Sequence, residues 1–408
     1  MAGPKKTRQA KLDFTTLGAI PVGIWTLGFV SLLMDISSEM INALLPSYLV
    51  TVLGASMLEV GIIEGIAEAT ASITKLFSGV LSDSLGRRKL LAATGYGLAA
   101  FAKLVFPLAA SLNWLIAARF IDRVGKGIRG APRDALIADL SPAELRGASF
   151  GLRQSLDTVG AFIGPLLAIM LMWLLADNIR AVFWFAVVPA FLSLFLITYG
   201  VSDPRHSASQ GIIRVPLEVQ EIGQLGARFW ALIAVATLFT LARFSEAFLI
   251  LRAQSEGLAL ALVPAVLVVM NLFYALAAYP AGVLSDNGSR TGVLRIGVIL
   301  LVAADLVLAL APGLLGVMVG ITFWGLHLGF SQGLLAALVA DTSPPRLRGT
   351  AFGIYNLITG VTLLAASILA GKLWETFGAQ ATFFLGAAFA AFAFLGLSLL
   401  RDPISCGR

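Results

Sequence analysis

Mostly apolar stretches of twenty or more residues, separated by short polar breaks, recur along this chain from near residue 18 to near residue 400. A helix needs about 20 mostly apolar residues to cross the hydrocarbon core of a bilayer. The runs do not alternate apolar and polar in segments of about ten, as strands of a membrane barrel do. The pattern predicts helices over 18–43, 57–81, 89–110, 113–138, 147–175, 180–200, 228–251, 258–284, 292–311, 314–340, 349–373 and 380–400. Twelve spans fill the 408 residues and leave no room for a soluble domain. The longest gap, 201–227, contains Pro204, Ser207, Ser209 and Pro216 and reads as a linker between a 1–200 bundle and a 228–408 bundle.

Composition agrees with this all-α membrane class. Hydrophobic residues make up 58% and charged residues 13%, and the mean hydropathy is +0.90, outside the range of soluble domains. The basic start (Lys5, Lys6, Arg8, Lys11) precedes an apolar run too long for a cleavable signal peptide and without a small-residue cleavage site. The single cysteine, Cys406, excludes an intrachain disulfide.

A net charge of +6 raises the question of an acidic partner such as nucleic acid, and the placement of the bases answers it. With the N-terminus inside, 18 of the 29 Lys and Arg residues fall on the cytoplasmic side, eight fall within helices, and Arg180, Arg252 and Lys372 fall on the opposite side. That bias follows the positive-inside rule. It predicts both termini in the cytoplasm, accounts for the charge by topology and argues against a nucleic-acid partner.

The chain also repeats itself. Residues 135–151, ALIADLSPAELRGASFG, match 337–353, ALVADTSPPRLRGTAFG, at eleven of seventeen positions and an offset of 202. A second echo pairs 79–83 with 282–286, GVLSD in both, at an offset of 203. Repeats at half the chain length, on equivalent ends of equivalent spans, predict two parallel six-helix bundles related by a pseudo-twofold axis along the membrane normal. Two such bundles can rock about the axis and expose a central site to each side in turn.

Three motifs carry a family resemblance. The stretch Gly79-Val80-Leu81-Ser82-Asp83-Ser84-Leu85-Gly86-Arg87-Arg88-Lys89 resembles the loop between helices 2 and 3 of the major facilitator superfamily. In that family the loop stabilises one conformation of the transport cycle, which implies such a role for Gly79, Asp83, Gly86, Arg87 and Arg88. Arg123-Val124-Gly125-Lys126-Gly127 is similar to the family's helix 4 motif, with Lys126 in place of a glutamine. Gly151, Gly160 and Gly164-Pro165 resemble the helix 5 motif of antiporters, although Ala168 and Ile169 replace its last two glycines. Small residues there would let helices 5 and 8 approach. The resemblance implies the major facilitator fold: twelve transmembrane helices in two pseudo-symmetric six-helix bundles, the central cavity lined by helices 1, 4, 7 and 10.

Charges within the spans are the candidate chemistry, because an ionisable group in hydrocarbon costs several kcal/mol unless it serves a partner or a water-filled path. Asp35 and Glu39 lie on the first span with Ser38 and Asn42, and Glu64 and Glu68 lie on one stripe of the second with Lys75. These four carboxylates are the candidates for proton coupling. Arg119, Asp122, Arg123, Lys126, Arg129 and Arg133 recur every three or four residues on the fourth span. Arg153, Asp157, Arg243, Glu246, His327 and Gln332 complete the candidate cavity set with Arg119, Asp122, Arg123 and Lys126. The alternative for each is structural pairing: Arg153 with Asp157, Arg243 with Glu246, Asp122 with a neighbouring Arg. A lone His between two leucines is more often packed than functional, and Lys103 and Asp305, on spans the family places peripherally, read as structural or snorkelling.

The sequence thus points to a proton-coupled exporter of a small organic compound in a bacterial cytoplasmic membrane, monomeric, with no cofactor and no metal. Two other cargoes stay open on the same scaffold: an anionic metabolite or siderophore held by the Arg-rich fourth span, and a lipid. An enzyme is disfavoured by the absence of a His-Glu zinc motif, a Gly-x-Ser-x-Gly elbow and a phosphate-binding loop.

Overall fold

The structure, a computed structural model, describes residues 18–85, 87–142, 145–202, 223–287, 289–344 and 347–399. Its first half is built from α1 (Val22–Thr51), α2 (Met57–Leu85), α3 (Arg88–Leu108), α4 (Leu112–Leu140), α5 (Arg146–Leu174) and α6 (Ile179–Gly200). The second half is built from α7 (Ala227–Ala242), α8 (Ala247–Ser255), α9 (Ala265–Asn287), α10 (Arg290–Leu310), α11 (Gly313–Thr342), α12 (Arg348–Phe377) and α13 (Ala379–Leu399).

Three expectations change, one of them the eighth span, which was expected from residue 258 and begins its helix at Ala265. The first helix runs eight residues past the predicted end, through Pro46. A proline in a long membrane helix is tolerated because packed neighbours re-satisfy the backbone group it frees. The seventh span, expected as one helix over 228–251, is two: α7 stops at Ala242, residues 243–246 leave the helix, and α8 resumes at Ala247. Counting α7 and α8 as one span, ten of the spans are long and apolar enough to cross a membrane. The two outside that set are α2 and α4, which carry the acidic and basic stripes respectively.

The spans run alternately between two faces. The face holding Val22, Leu140, Gly200 and Ala227 is the terminal face, and the other holds Thr51, Leu174, Ser255 and Phe377. Within the first half α3 packs on α4, α2 on α4, α1 on α5 and α6, and α3 on α6. The second half repeats this order, with α10 on α11, α9 on α11 and α10 on α13. Ion pairs mark the symmetry: Arg88 at the start of α3 binds Asp139 at the end of α4, and Arg290 at the start of α10 binds Asp341 at the end of α11. Each pair spans 51 residues and the two are offset by 202, the period of the sequence repeat. Gly86, and the side-chain surroundings of Gly79 and Asp83, lie outside the described residues, as does most of the 201–227 linker; Arg87 is exposed at the terminal face.

The halves meet mainly through α2 and α12. Gly61, Gly65, Gly360 and Gly371 let these backbones touch: a methyl group at Gly65 would come 3.0 Å from Leu364 Cα, and one at Gly371 would come 2.9 Å from Leu58 Cα. These contacts run from the face opposite the termini to mid-span. A buried apolar cluster joins the halves at the same level, with Leu44, Leu45 and Tyr48 of α1 against Ala247 and Leu251 of α8. Ser47 donates to Gln254 across that junction at 2.9 Å. At the terminal end the first half's cluster, from Ile24 and Leu27 to Tyr96 and Ile197, contains first-half residues alone. Among the described residues, the contacts between the halves gather from the opposite face to mid-span, and the core at the terminal end of the first half makes none with the second.

Gly160 and Gly164 do not serve the expected approach of helices 5 and 8. A methyl at Gly160 would meet Leu32 O at 2.8 Å, and one at Gly164 would meet Ile36 O at 2.8 Å, so both glycines seat α5 on α1 within one half. Pro165 is buried in the same contact. The link from α5 to α9 is instead made by Asn271, whose side-chain amide donates to Ala161 O at 3.2 Å.

Lys103 and Asp305 do not snorkel; both are buried. Lys103 Nζ lies 3.0 Å from Asp122 Oδ1 and donates to Ser38 Oγ at 3.0 Å, tying α3 to α4 and α1. Breaking a buried pair by removing one partner costs about 3–5 kcal/mol. Lys103→Ala is expected to lower the thermal unfolding midpoint of the purified protein sharply. Removing both charges, in Lys103→Met with Asp122→Leu, should recover most of that loss.

Candidate functional site

Between the halves lies a cavity of about 450 Å³. Its first-half wall carries Glu39 and Asn42 of α1, Glu64, Glu68 and Ser72 of α2, and Arg119, Arg123 and Lys126 of α4. Its second-half wall carries Thr240 of α7, the non-helical residues 243–246, Trp324 and Gln332 of α11, and Tyr355 and Thr359 of α12. Helical spacing explains the sharing. Glu64, Glu68 and Ser72 recur at intervals of four, as do Tyr355 and Thr359, so each set stands on one face of its helix.

The first-half wall is a fixed lattice of charge. Arg119 donates to Asn42 Oδ1 at 2.6 Å and to Glu64 Oε2 at 2.8 Å. Arg123 donates to the same Asn42 oxygen at 3.0 Å and lies 3.3 Å from Glu68 Oε1 and 3.8 Å from Asp122 Oδ2. Asn42 in turn donates to Glu39 Oε1 at 3.1 Å. One amide therefore couples an α1 carboxylate to two α4 guanidinium groups, and both of those are held by α2. Charge-assisted bonds in a low-dielectric interior are strong and directional, so this wall is preorganised.

The second-half wall is looser. Arg243 and Glu246 flank the break in the seventh span, yet no ion pair within 4 Å joins them, contrary to the pairing alternative. Arg243 instead lies over the Phe239 ring at 5.6 Å. Ser245 N donates to Ser367 Oγ at 3.2 Å and Ala247 N to Ser245 Oγ at 3.2 Å, so side chains satisfy backbone that the helix has released. Non-helical backbone at this depth is stable only inside protein or along a water-filled cavity. Lys126 is exposed to the cavity and likewise makes no ion pair.

Four cavity candidates and one proton-coupling candidate lie off its wall. Asp122 is buried behind α4 between Lys103 and Arg123. Arg153 and Asp157 form an ion pair at 3.3 Å, and Arg153 also approaches Asp134 at 3.4 Å, which draws both toward the terminal end of α4. His327 is fully buried, edge-on to Trp324 and Phe239, because α11 presses that face against α7 rather than into the cavity. Asp35 sits where α1 meets α5, its Cβ 3.1 Å from the space a methyl at Gly160 would fill. Glu39, Glu64, Glu68, Arg119, Arg123, Lys126, Arg243, Glu246 and Gln332 do line the cavity. Tyr355 and Thr359 were not anticipated. They are the 202-residue equivalents of Arg153 and Asp157, and following the repeat from those two would have found them.

A bundle of this shape, with a charged chamber enclosed between two pseudo-symmetric halves and shut at one face, is a polytopic membrane transporter and not an enzyme. The chain belongs to the major facilitator superfamily, whose sequence profile matches residues 27–270 and 247–405. It is 34% identical over 385 residues to an uncharacterised MFS-type transporter of Methanocaldococcus jannaschii, covering 92% of this chain and 94% of that one. It is 28% identical to the multidrug resistance protein MdtH of Photorhabdus laumondii over 48% of this chain and 49% of that one. In fold it is similar to the nucleoside transporter NupG, with a TM-score of 0.77 and 13% identity over 92% of this chain and 99% of that one.

Proposed function

We propose that this protein is a proton-coupled exporter of a small polar organic compound, working by alternating access with its terminal face in the cytoplasm. The observation that carries the reading is the chamber itself. It holds carboxylates that can exchange protons beside cations that would hold or release them, and among the described residues its two walls join from the opposite face to mid-span. Charge placement supports the orientation, since basic residues concentrate at the terminal face. In that orientation the conformation is inward-open, ready to take cargo from the cytoplasm.

Coupling follows from competition within the lattice. Protonation of Glu64 or Glu68 releases Arg119 or Arg123, and a released guanidinium can turn to cargo or to the other half. Cargo and proton then favour different states, and only that differential affinity can drive the cycle. Similarity to a multidrug resistance protein supports the outward direction.

Lys126 and Arg243, the two cavity cations without an ion pair, favour a second reading in which the cargo carries an anionic group. Proteoliposomes with an imposed proton gradient and matched panels of labelled cationic, zwitterionic and anionic compounds separate the two. Gradient-driven movement is expected, and Glu64→Gln with Glu68→Gln should abolish it. Movement indifferent to both the gradient and those substitutions overturns the reading.

A further inference from the structure

Asp305 is the one described carboxylate whose two oxygens are both buried and without a hydrogen-bond partner from the protein. It lies five residues before the end of α10, fully buried, and nothing in the coupling scheme above uses it. Its surroundings are aromatic. The side-chain space that Gly386 of α13 leaves empty is bordered by Asp305 Oδ2 at 2.7 Å and by Phe244 Cε1 at 3.1 Å. Phe244 packs on Phe248, Trp324 and Phe383, with ring centroids 5.7, 5.6 and 5.4 Å away. Phe244 and Trp324 are also cavity-wall residues, so Phe244 borders both Asp305's surroundings and the chamber. That ring belongs to the non-helical segment of the seventh span, the part of the wall least constrained by helix geometry.

The internal repeat shows what is unusual here. Asp305 is the 202-residue equivalent of Lys103, and Trp324 is the equivalent of Asp122. In the first half these two positions form the buried Lys103–Asp122 ion pair. In the second half the lysine has become an acid and its partner an indole, so the acid has nothing to pair with. The other neighbours do not supply a charge. Along α13 no residue is ionisable. On α11 the nearest titratable group is His327, whose own two nitrogens are unpartnered. Arg252 of α8 is committed to Leu308 O at 3.0 Å and to Glu256 at 2.6 Å. Arg243 lies over Phe239, Glu246 faces the cavity, and Tyr274 of α9 and Tyr355 of α12 are neutral phenols.

A buried carboxylate with no partner is costly, whereas a proton neutralises it and takes no room. The closeness of Gly386 and Phe244 leaves no space for an organic cation. From this geometry we propose that Asp305 is a second-half proton site, loaded and unloaded through the chamber when Phe244 swings aside. It rests on the proton-coupled reading and adds to the first-half carboxylates a site on the opposite bundle. In the loading step one proton passes from chamber water to an Asp305 carboxylate oxygen and makes a neutral acid. Unloading reverses this in the other state of the cycle.

The test is infrared difference spectroscopy of the full chain in lipid vesicles, alkaline buffer against acid. A carboxylic C=O band that appears on acidification is expected to move when aspartate is isotopically labelled with carbon-13 and to vanish in Asp305→Asn. It should persist in Glu64→Gln with Glu68→Gln, and its titration midpoint should move in Phe244→Ala. The labelling arm uses the unmodified sequence, so it stands even if a variant fails to fold. A spectrum unchanged by Asp305→Asn, or an aspartic band that stays protonated through alkaline buffer, overturns the proposal. Loss of gradient-driven transport with the band intact would instead count against proton-coupled export.

Discussion

Arg119→Gln is expected to destabilise this protein by about 3–5 kcal/mol and to abolish transport, because it leaves Glu64 buried without its cation. The side chain of Glu64 is 7% exposed and that of Arg119 5% exposed, so water cannot make good the loss. Thermal unfolding of the purified variant, followed by intrinsic fluorescence, measures the first effect. The double variant Glu64→Gln with Arg119→Gln removes both charges and should regain most of the stability. It should not regain gradient-driven transport, since the proton acceptor has gone with the base. If the double variant is no more stable than Arg119→Gln, the Arg119–Glu64 pair does not hold α4 to α2 as described.

Gly371→Leu acts on the other element of the cycle, the seam between α2 and α12. A side chain there must enter the space held by the Met57 and Leu58 backbone, and backbone cannot yield as a flexible side chain can. Overpacking a tight contact costs about 1–3 kcal/mol. Since that cost is borne only by the state closed on this face, the equilibrium between states should shift by roughly tenfold or more, at 1.4 kcal/mol per tenfold. Spin labels at Trp114 and Phe377, exposed positions near the closed face on opposite halves, report the change. In a Cys406→Ser background the label separation should lengthen in the variant, and turnover should fall by a similar factor. An unchanged distance distribution would show that the seam does not set the closed state.

Much of the architecture could be read before any coordinates. Nine of the twelve predicted spans begin and end within four residues of the observed helices, since hydrocarbon thickness and backbone hydrogen bonding constrain a membrane helix more tightly than side-chain packing does. The three exceptions have local causes, and in the eighth span a short turn at Leu260–Leu262 and Pro264 precede the helix that begins at Ala265. Pro46 looks like a terminus and is not one. The break at 243–246 is too short to register in hydropathy: Arg243, Ser245 and Glu246 are outweighed by the apolar residues on either side, so 227–255 still reads as one apolar span.

The candidate site was legible by kind and only partly by place. The stripes on α2 and α4 put Glu64, Glu68, Arg119, Arg123 and Lys126 on the chamber wall, since lipid cannot solvate them. Yet residues from one stripe part company: Arg119, Arg123 and Lys126 face the chamber, while Asp122 turns to Lys103. Asp35 and Glu39, one turn apart on α1, separate in the same way between α5 and the chamber. A turn of helix moves a side chain by only a few tens of degrees around the axis, enough to exchange one neighbour for another when helices pack on every side.

By itself, the sequence determined the number of spans, their grouping into two repeats, the preferred side of the basic residues and the presence of charge within the membrane. Each of these follows from what a bilayer forbids, and a bilayer reads composition and order. Only the tertiary structure decided which charges are locked into pairs, which face shared space and which, like Asp305, face neither. Those outcomes depend on contacts between residues as distant as Asn42 and Arg123 or Phe244 and Gly386. Helix packing sets such distances, and no local pattern records them.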